Sequence, residues 1–171
     1  MAGRRADTGL QALAVEVGEA LRAAGQRLIT AESCSGGWVA KTCTDIAGSS
    51  AWFDSALVAY SNAAKQRLLG VSPATLARHG AVSRETAEAM ALGAQADLAD
   101  RVSLAITGIA GPGGGSADKP VGLVWFAWAR TGPVVRAESV MFRGDRDAVR
   151  RQSVAHALHG LLGHLDGGRL D

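Results

Sequence analysis

Two side chains in this sequence stand in settings that suit chemistry, Ser33 and Lys65. Ser33 lies in Thr30-Ala31-Glu32-Ser33-Cys34-Ser35-Gly36-Gly37, where hydroxyls, a thiol and a carboxylate crowd one turn. If that turn joins a strand to a helix, it faces the ligand crevice of an open α/β sheet. Gly36 and Gly37 then let backbone approach a ligand closely, and the unpaired amides that open the helix favour a phosphate or a developing oxyanion. Lys65 closes the segment Tyr60-Ser61-Asn62-Ala63-Ala64-Lys65 and falls in the first turn of a predicted helix. The helix dipole and partial burial beside Leu69 disfavour its ammonium, and a neutral lysine is a general base. Taken singly, each has a plainer reading: Ser and Gly make tight turns, and most helix lysines are solvated.

Two further stretches invite a ligand. Thr107-Gly108-Ile109-Ala110-Gly111-Pro112-Gly113-Gly114-Gly115-Ser116, followed by Lys119-Pro120-Val121-Gly122, matches neither a dinucleotide fingerprint nor a P-loop, because Pro112 blocks a helix and no Gly-Lys-Ser/Thr is present. A nest of amides for an anion and a plain surface loop both fit it. Arg143-Gly144-Asp145-Arg146 sets two arginines beside the start of the last predicted helix, as a phosphate clamp or as solvated charge. His156, His159 and His164 lack a third ligand at metal spacing and read as structural or solvated.

The elements that must position these residues follow from periodicity and punctuation. Leu10 to Ala24 carries apolar residues at helical spacing and stops at Gly25. Arg27–Thr30 reads as a strand and is followed by a helix to about Thr44. Ala56–Tyr60 reads as a strand, then a helix Ala63–Leu69 capped by Ser61-Asn62 and ended by Gly70. A short helical piece follows Pro73, and Ser83 caps a helix Arg84–Leu98. Val102–Ile106 is a compact strand. Val121–Ala129 and Val134–Met141 pair as an antiparallel hairpin about Thr131-Gly132-Pro133, and Asp147–Leu162 is the closing helix. This pattern implies one α/β domain over residues 1–171, with a mixed, mostly parallel sheet that includes one antiparallel hairpin. The ends, 1–8 and 165–171, are expected to fray.

Bulk properties narrow the classes. A length of 171 residues suits one core, and 47% hydrophobic content excludes global disorder. The net charge of +2 comes from 18 basic and 16 acidic residues spread along the chain, which argues against a nucleic-acid binder. Two cysteines, Cys34 and Cys43, give neither a zinc site nor a disulfide framework and fit a reducing, cytoplasmic compartment. The longest apolar stretch, Val121 to Ala129, is too short to span a bilayer, and no signal peptide opens the chain. No nucleic acid, membrane, metal or cofactor is expected.

Together these stretches resemble the CinA C-terminal domain family, amidohydrolases that convert nicotinamide mononucleotide to nicotinate mononucleotide and ammonia. The resemblance rests on A-E-S-C-S-G-G at 31–37, Y-S-N-A-A-K at 60–65, H-G-A-V-S at 79–83, T-G-I-A-G-P-G-G-G at 107–115 and K-P-V-G at 119–122, and spans about Ala14 to Leu162. It implies a three-layer α/β/α domain in the stand-alone form, since longer members add an N-terminal molybdopterin-binding-like domain. It also implies Ser33 and Lys65 as the catalytic pair, with Tyr60 beside them. Ser35 replaces the threonine of many members and keeps the hydroxyl. Around the pair, Glu32, Ser35, Gly36, Gly37, Thr107, Gly108, Gly111, Arg143 and Arg146 are the expected substrate-binding residues, the two arginines for the phosphate. The expected partner is the small pyridine nucleotide, and the chain is expected to form a homo-oligomer. Two rivals stand beside this reading: Cys34 as the nucleophile, and a non-catalytic nucleotide-binding regulator linked to competence or DNA damage.

Overall fold

The computed structural model describes residues 2–96, 98–131 and 135–167. Among them, helix α1 (Ala2–Ala24) precedes strand β1 (Arg27–Glu32), helix α2 (Trp38–Thr44), a 3-10 turn at Ser49–Ala51 and strand β2 (Phe53–Val58). Helices α3 (Asn62–Leu69), α4 (Pro73–His79) and α5 (Arg84–Gln95) lead to strand β3 (Arg101–Gly108). Strands β4 (Leu123–Ala129) and β5 (Val135–Met141) and helix α6 (Arg146–Asp166) complete the chain.

The caps expected at Ser61 and Ser83 form, and Ser72 and Asp145 add two that the sequence reading did not single out. Ser61, Ser72 and Ser83 each accept from the amide three residues on, opening α3, α4 and α5, and Asp145 does so for α6. Gly70 ends α3 in the left-handed region at φ 64°, where a side chain would be strained. Helix α5 stops three residues short of the expected Leu98, with Ala96 itself left-handed.

The strands line up as β2-β1-β3-β4-β5. The β1 ladders to β2 and β3 are parallel, and the β3–β4 and β4–β5 ladders are antiparallel. The sheet is therefore evenly mixed, not mostly parallel. The cause is the loop 109–122, which returns the chain beside β3 without a crossover helix, so β4 must run back. The β4–β5 hairpin forms as expected, while Gly132, Pro133 and Val134 of its turn lie outside the described residues, as do Met1 and 168–171.

The connection through α2 carries the chain from β1 to one neighbour, and the one through α3, α4 and α5 carries it to the other. Right-handed crossovers in opposite directions put their helices on opposite faces. One apolar cluster accordingly joins α1, α2 and α6 to the sheet through Leu21, Leu28, Trp52, Phe126, Trp128 and Leu158. The other joins α3, α4 and α5 through Ile29, Leu69, Met90 and Ala105. The result is three layers, α/β/α, with β1 at the point where strand order reverses. A ligand crevice forms outside the carboxyl ends of the strands at such a point.

Candidate active site

Three strand ends converge at that crevice. Ser33 follows β1, Ala59 and Tyr60 follow β2, and Thr107 and Gly108 close β3. Backbone bonds tie the exits together: Ser33 N donates to Ile106 O at 2.9 Å and Ala59 N donates to Glu32 O at 2.9 Å. The turn after β1 and the start of α3 are thus held to one frame.

Lys65 is 1% exposed, and Ser33 is 8% exposed. The Lys65 Nζ lies 2.9 Å from Ser33 Oγ, 3.0 Å from Ala59 O and 3.2 Å from Tyr60 O. All three neighbours are uncharged oxygens, so no anion among them offsets the cost of burying an ammonium. Burial accordingly lowers the Lys65 pKa, opposed in part by Cys34 when it is ionised. A neutral amine has two N–H groups and one lone pair. Two carbonyls and one hydroxyl match that set, with the hydroxyl donating to nitrogen. An amine held this way can take the serine's proton once it is neutral.

Cys34 is a different matter. Burial pushes its thiol up to about 11, against its own amide, Lys65 and Arg150, which pull the other way. It is a thiol at neutral pH and therefore a poor nucleophile.

Ser33, Cys34, Tyr60, Lys65, Thr107 and Arg146, with the glycine loop from Gly108 through Gly111 to Gly114, line a cavity of about 270 Å³. Of two larger clefts, the one of about 460 Å³ is lined by neither a serine nor a lysine, and the one of about 580 Å³ is lined by Ser83 and Lys119, whose side chains donate to Gly80 O and His79 O. Arg146 opens α6 and spans the cavity mouth, donating to Tyr60 Oη at 3.0 Å and to Gly111 O at 2.7 Å. Tyr60 therefore holds Lys65 through its carbonyl, while its phenol turns to Arg146.

Other expected residues point elsewhere. The Glu32 carboxylate is fully buried and accepts from Gly37 N at 2.9 Å, Val39 N at 3.1 Å and Ala40 N at 2.9 Å. It caps α2. Gly36 N donates to Ser33 O at 3.1 Å, so the amides of Gly36 and Gly37 are both taken. Ser35 is buried away from the cavity, and Arg143 is exposed outside it.

Sequence reasoning missed Ala81 and Val82 as lining residues. Their segment is pinned by Thr107 Oγ1 on Ala81 O at 2.7 Å and by Lys119 Nζ on His79 O at 2.6 Å. The H-G-A-V-S motif thus supplies a wall of the cavity, and Lys119 of K-P-V-G braces it from behind. Nor was Arg150 singled out; it lies one helical turn after Arg146 and does not line the cavity, but donates to Cys34 O and Ser35 O.

The sequence profile of the CinA C-terminal domain matches residues 10–165. Nicotinamide-nucleotide amidohydrolase PncC of Escherichia coli K12 is 54% identical over 157 residues, covering 91% of this chain and 94% of the relative. The PncC of Pseudomonas putida is 52% identical over 150 residues, covering 88% and 93%. A CinA-like protein of Geobacter sulfurreducens is 51% identical over 150 residues, 87% of this chain but 36% of that protein. The crystal structure of competence/damage inducible protein CihA from Agrobacterium tumefaciens superposes with a TM-score of 0.87 at 42% identity, covering 92% of this chain and 95% of its own.

Proposed function

We propose that this chain, which belongs to the CinA C-terminal domain family, hydrolyses the carboxamide of nicotinamide mononucleotide to nicotinate mononucleotide and ammonia. The PncC relatives at 52–54% identity, matched over nearly their whole length, support that substrate. The observation that carries the mechanism is the buried contact of Lys65 Nζ with Ser33 Oγ at 2.9 Å, with no carboxylate among the described residues bonded to the lysine.

Neutral Lys65 takes the Ser33 proton as Oγ attacks the carboxamide carbon. The tetrahedral intermediate collapses with cleavage of the C–N bond, and the lysine returns its proton to the departing nitrogen, which leaves as ammonia. Water, deprotonated by Lys65, then attacks the acyl ester. The nicotinate product departs and Ser33 recovers its proton. With the amides of Gly36 and Gly37 engaged, the loop 108–114 is the better source of oxyanion donors. Arg146 reaches the cavity and is assigned to the substrate phosphate, for which it would exchange its bonds to Tyr60 and Gly111. The scheme needs no metal or cofactor.

The same reading makes the protein a single domain, a homo-oligomer and a cytoplasmic enzyme. The two free, buried cysteines fit a reducing compartment, and no helix among the described residues is long and apolar enough to cross a membrane. The test is ammonia release from nicotinamide mononucleotide with chelator present. Turnover by the wild type and its loss by about 10³-fold or more in folded Ser33→Ala and Lys65→Ala are expected. A folded wild type that binds the nucleotide without turnover would replace this reading with a regulatory binding module.

A further inference from the structure

The turn that presents Ser33 is held from outside by a residue of α6. Arg150 donates from Nε to Cys34 O at 3.1 Å and from Nη2 to Ser35 O at 2.9 Å. Its guanidinium lies over the Trp38 ring, 5.2 Å from the centroid, and Trp38 opens α2 on the far side of the turn. The remaining polar contacts of the turn are mostly internal: Gly36 N to Ser33 O, Trp38 N to Ser35 O and Gly37 N to Glu32. Ser35 Oγ is buried with no partner among the described residues, so that side chain adds no anchor. The fit to the arginine is close. A Cβ on Gly36, which sits at φ +63°, would come within 3.3 Å of Arg150 Nη2.

We infer that Arg150 is a positioning residue for the Ser33–Lys65 pair, a proposal that rests on the reading of that pair given above. Two N–H donors from one planar fork tie together two successive peptides, Cys34–Ser35 through Cys34 O and Ser35–Gly36 through Ser35 O, which one ammonium cannot do. These peptides begin one residue after Ser33 and, through the Gly36 N to Ser33 O bond, set the path of the turn from which Ser33 Oγ projects. Without the fork, Cys34 O loses the Arg150 donor and Ser35 O keeps only the 3.3 Å bond from Trp38 N, the turn rotates to recover donors from water, and the 2.9 Å approach of Ser33 to Lys65 loosens. Since Arg150 reaches neither the cavity nor the pair directly, its loss acts on the chemical step and leaves substrate affinity alone. Arg146 and Arg150, one turn apart on α6, thus divide the work: one at the cavity mouth, one behind the nucleophile.

The experiment compares wild type, Arg150→Lys and Arg150→Ala by ammonia release and, independently of any nucleotide, by the rate at which a fluorophosphonate labels Ser33, read by peptide mass. Arg150→Lys keeps the charge and much of the packing on Trp38, which guards against a variant that fails to fold. Both variants are expected to lose about 100-fold in kcat, the scale of an ångström-level misplacement, with KM little changed and Ser33 labelling slowed in step. Added guanidinium should restore part of the rate of Arg150→Ala, and nothing for Arg150→Lys. A purely structural role gives a lower melting temperature with kcat and labelling unchanged, and that result overturns the proposal. Ser33 labelling in a wild type that releases no ammonia would remove the substrate reading and leave Arg150 to be judged by labelling. Ammonia release without any labelling of Ser33 overturns the positioning role together with the nucleophile.

Discussion

A lysine buried to 1% exposure with only uncharged oxygens around it is under conflicting demands. Its hydrogen bonds favour either protonation state, but its desolvation favours only the neutral one, and the second effect wins. The consequence is kinetic. Because the base must be unprotonated, kcat/KM should rise with pH along a limb whose midpoint lies below the ordinary lysine range, then level off. Lys65→Arg should abolish that limb and the activity, since a guanidinium stays protonated. A pH–rate profile that is flat, or that breaks at an ordinary lysine pKa, would remove Lys65 as the base. At this scale the sequence set Ser33 and Lys65 in two separate motifs, each with a plainer reading on its own and named as a pair only by the family resemblance, and the fold brings their side chains to 2.9 Å. The sequence could not show which way neighbouring groups turn. Glu32 sits beside Ser33 in a polar turn whether its carboxylate faces a ligand or caps a helix, and here three amides claim it. Arg150 acts on carbonyls 115 and 116 residues away, a relation no local pattern encodes.

Among the elements, α3 matters most, because it carries Lys65, and its seat depends on a glycine in another helix. A Cβ on Gly93 of α5 would stand 1.8 Å from Leu69 O, the last residue of α3, so only a bare Cα allows the two helices to meet. Gly93→Ala cannot be absorbed by a rotamer change, since the obstacle is backbone. Replacing a helix-interior glycine by alanine would by propensity alone stabilise by roughly 0.5–1 kcal/mol. The clash reverses the sign: α3 must slide, and a net loss of about 1–3 kcal/mol is expected, as for overpacked cores. A denaturant midpoint that rises, or kcat that stays at the wild-type level, would show that α3 moves freely. The sequence indicates Gly93 only as a glycine tolerated inside a helix. It did better with termini, since Ser61 and Ser83 cap as expected, although Ser72 and Asp145, residues of capping type, were not read as caps. It did worse with strands. β2 starts at Phe53, three residues before the expected Ala56, and β3 runs on to Gly108, two past Ile106, because ladder pairing with β1 and β4 sets those limits.

Among the described residues, the candidate site and a buried histidine lie at opposite ends of the sheet. The crevice occupies the carboxyl ends of β1, β2 and β3, while the carboxyl end of α6 packs His164 beside Arg130 and Arg136 near the start of β1. Burial lowers the His164 pKa to about 4, and the charges of Arg130 and Arg136 add to the effect. His164 is 8% exposed, so solvent screens it little, and its Nε2 has no partner among the described residues. Between about pH 4 and 6.5 the unfolded chain binds a proton here that the native state refuses. Stability from this site is therefore complete above pH 6.5 and is lost as pH falls toward 4. The shift corresponds to on the order of 3 kcal/mol. Acid also protonates carboxylates such as Glu138, whose pKa is lowered: burial tends to raise it, and bonds from Arg136 and His156 outweigh that. The comparison must therefore be made against His164→Phe, which removes one titration and leaves the rest. Urea unfolding at pH 7, 5.5 and 4.5 should show the wild type losing stability faster than the variant over that span. Parallel losses would mean that His164 is charged in the folded protein and that the acid sensitivity of the fold lies with its carboxylates.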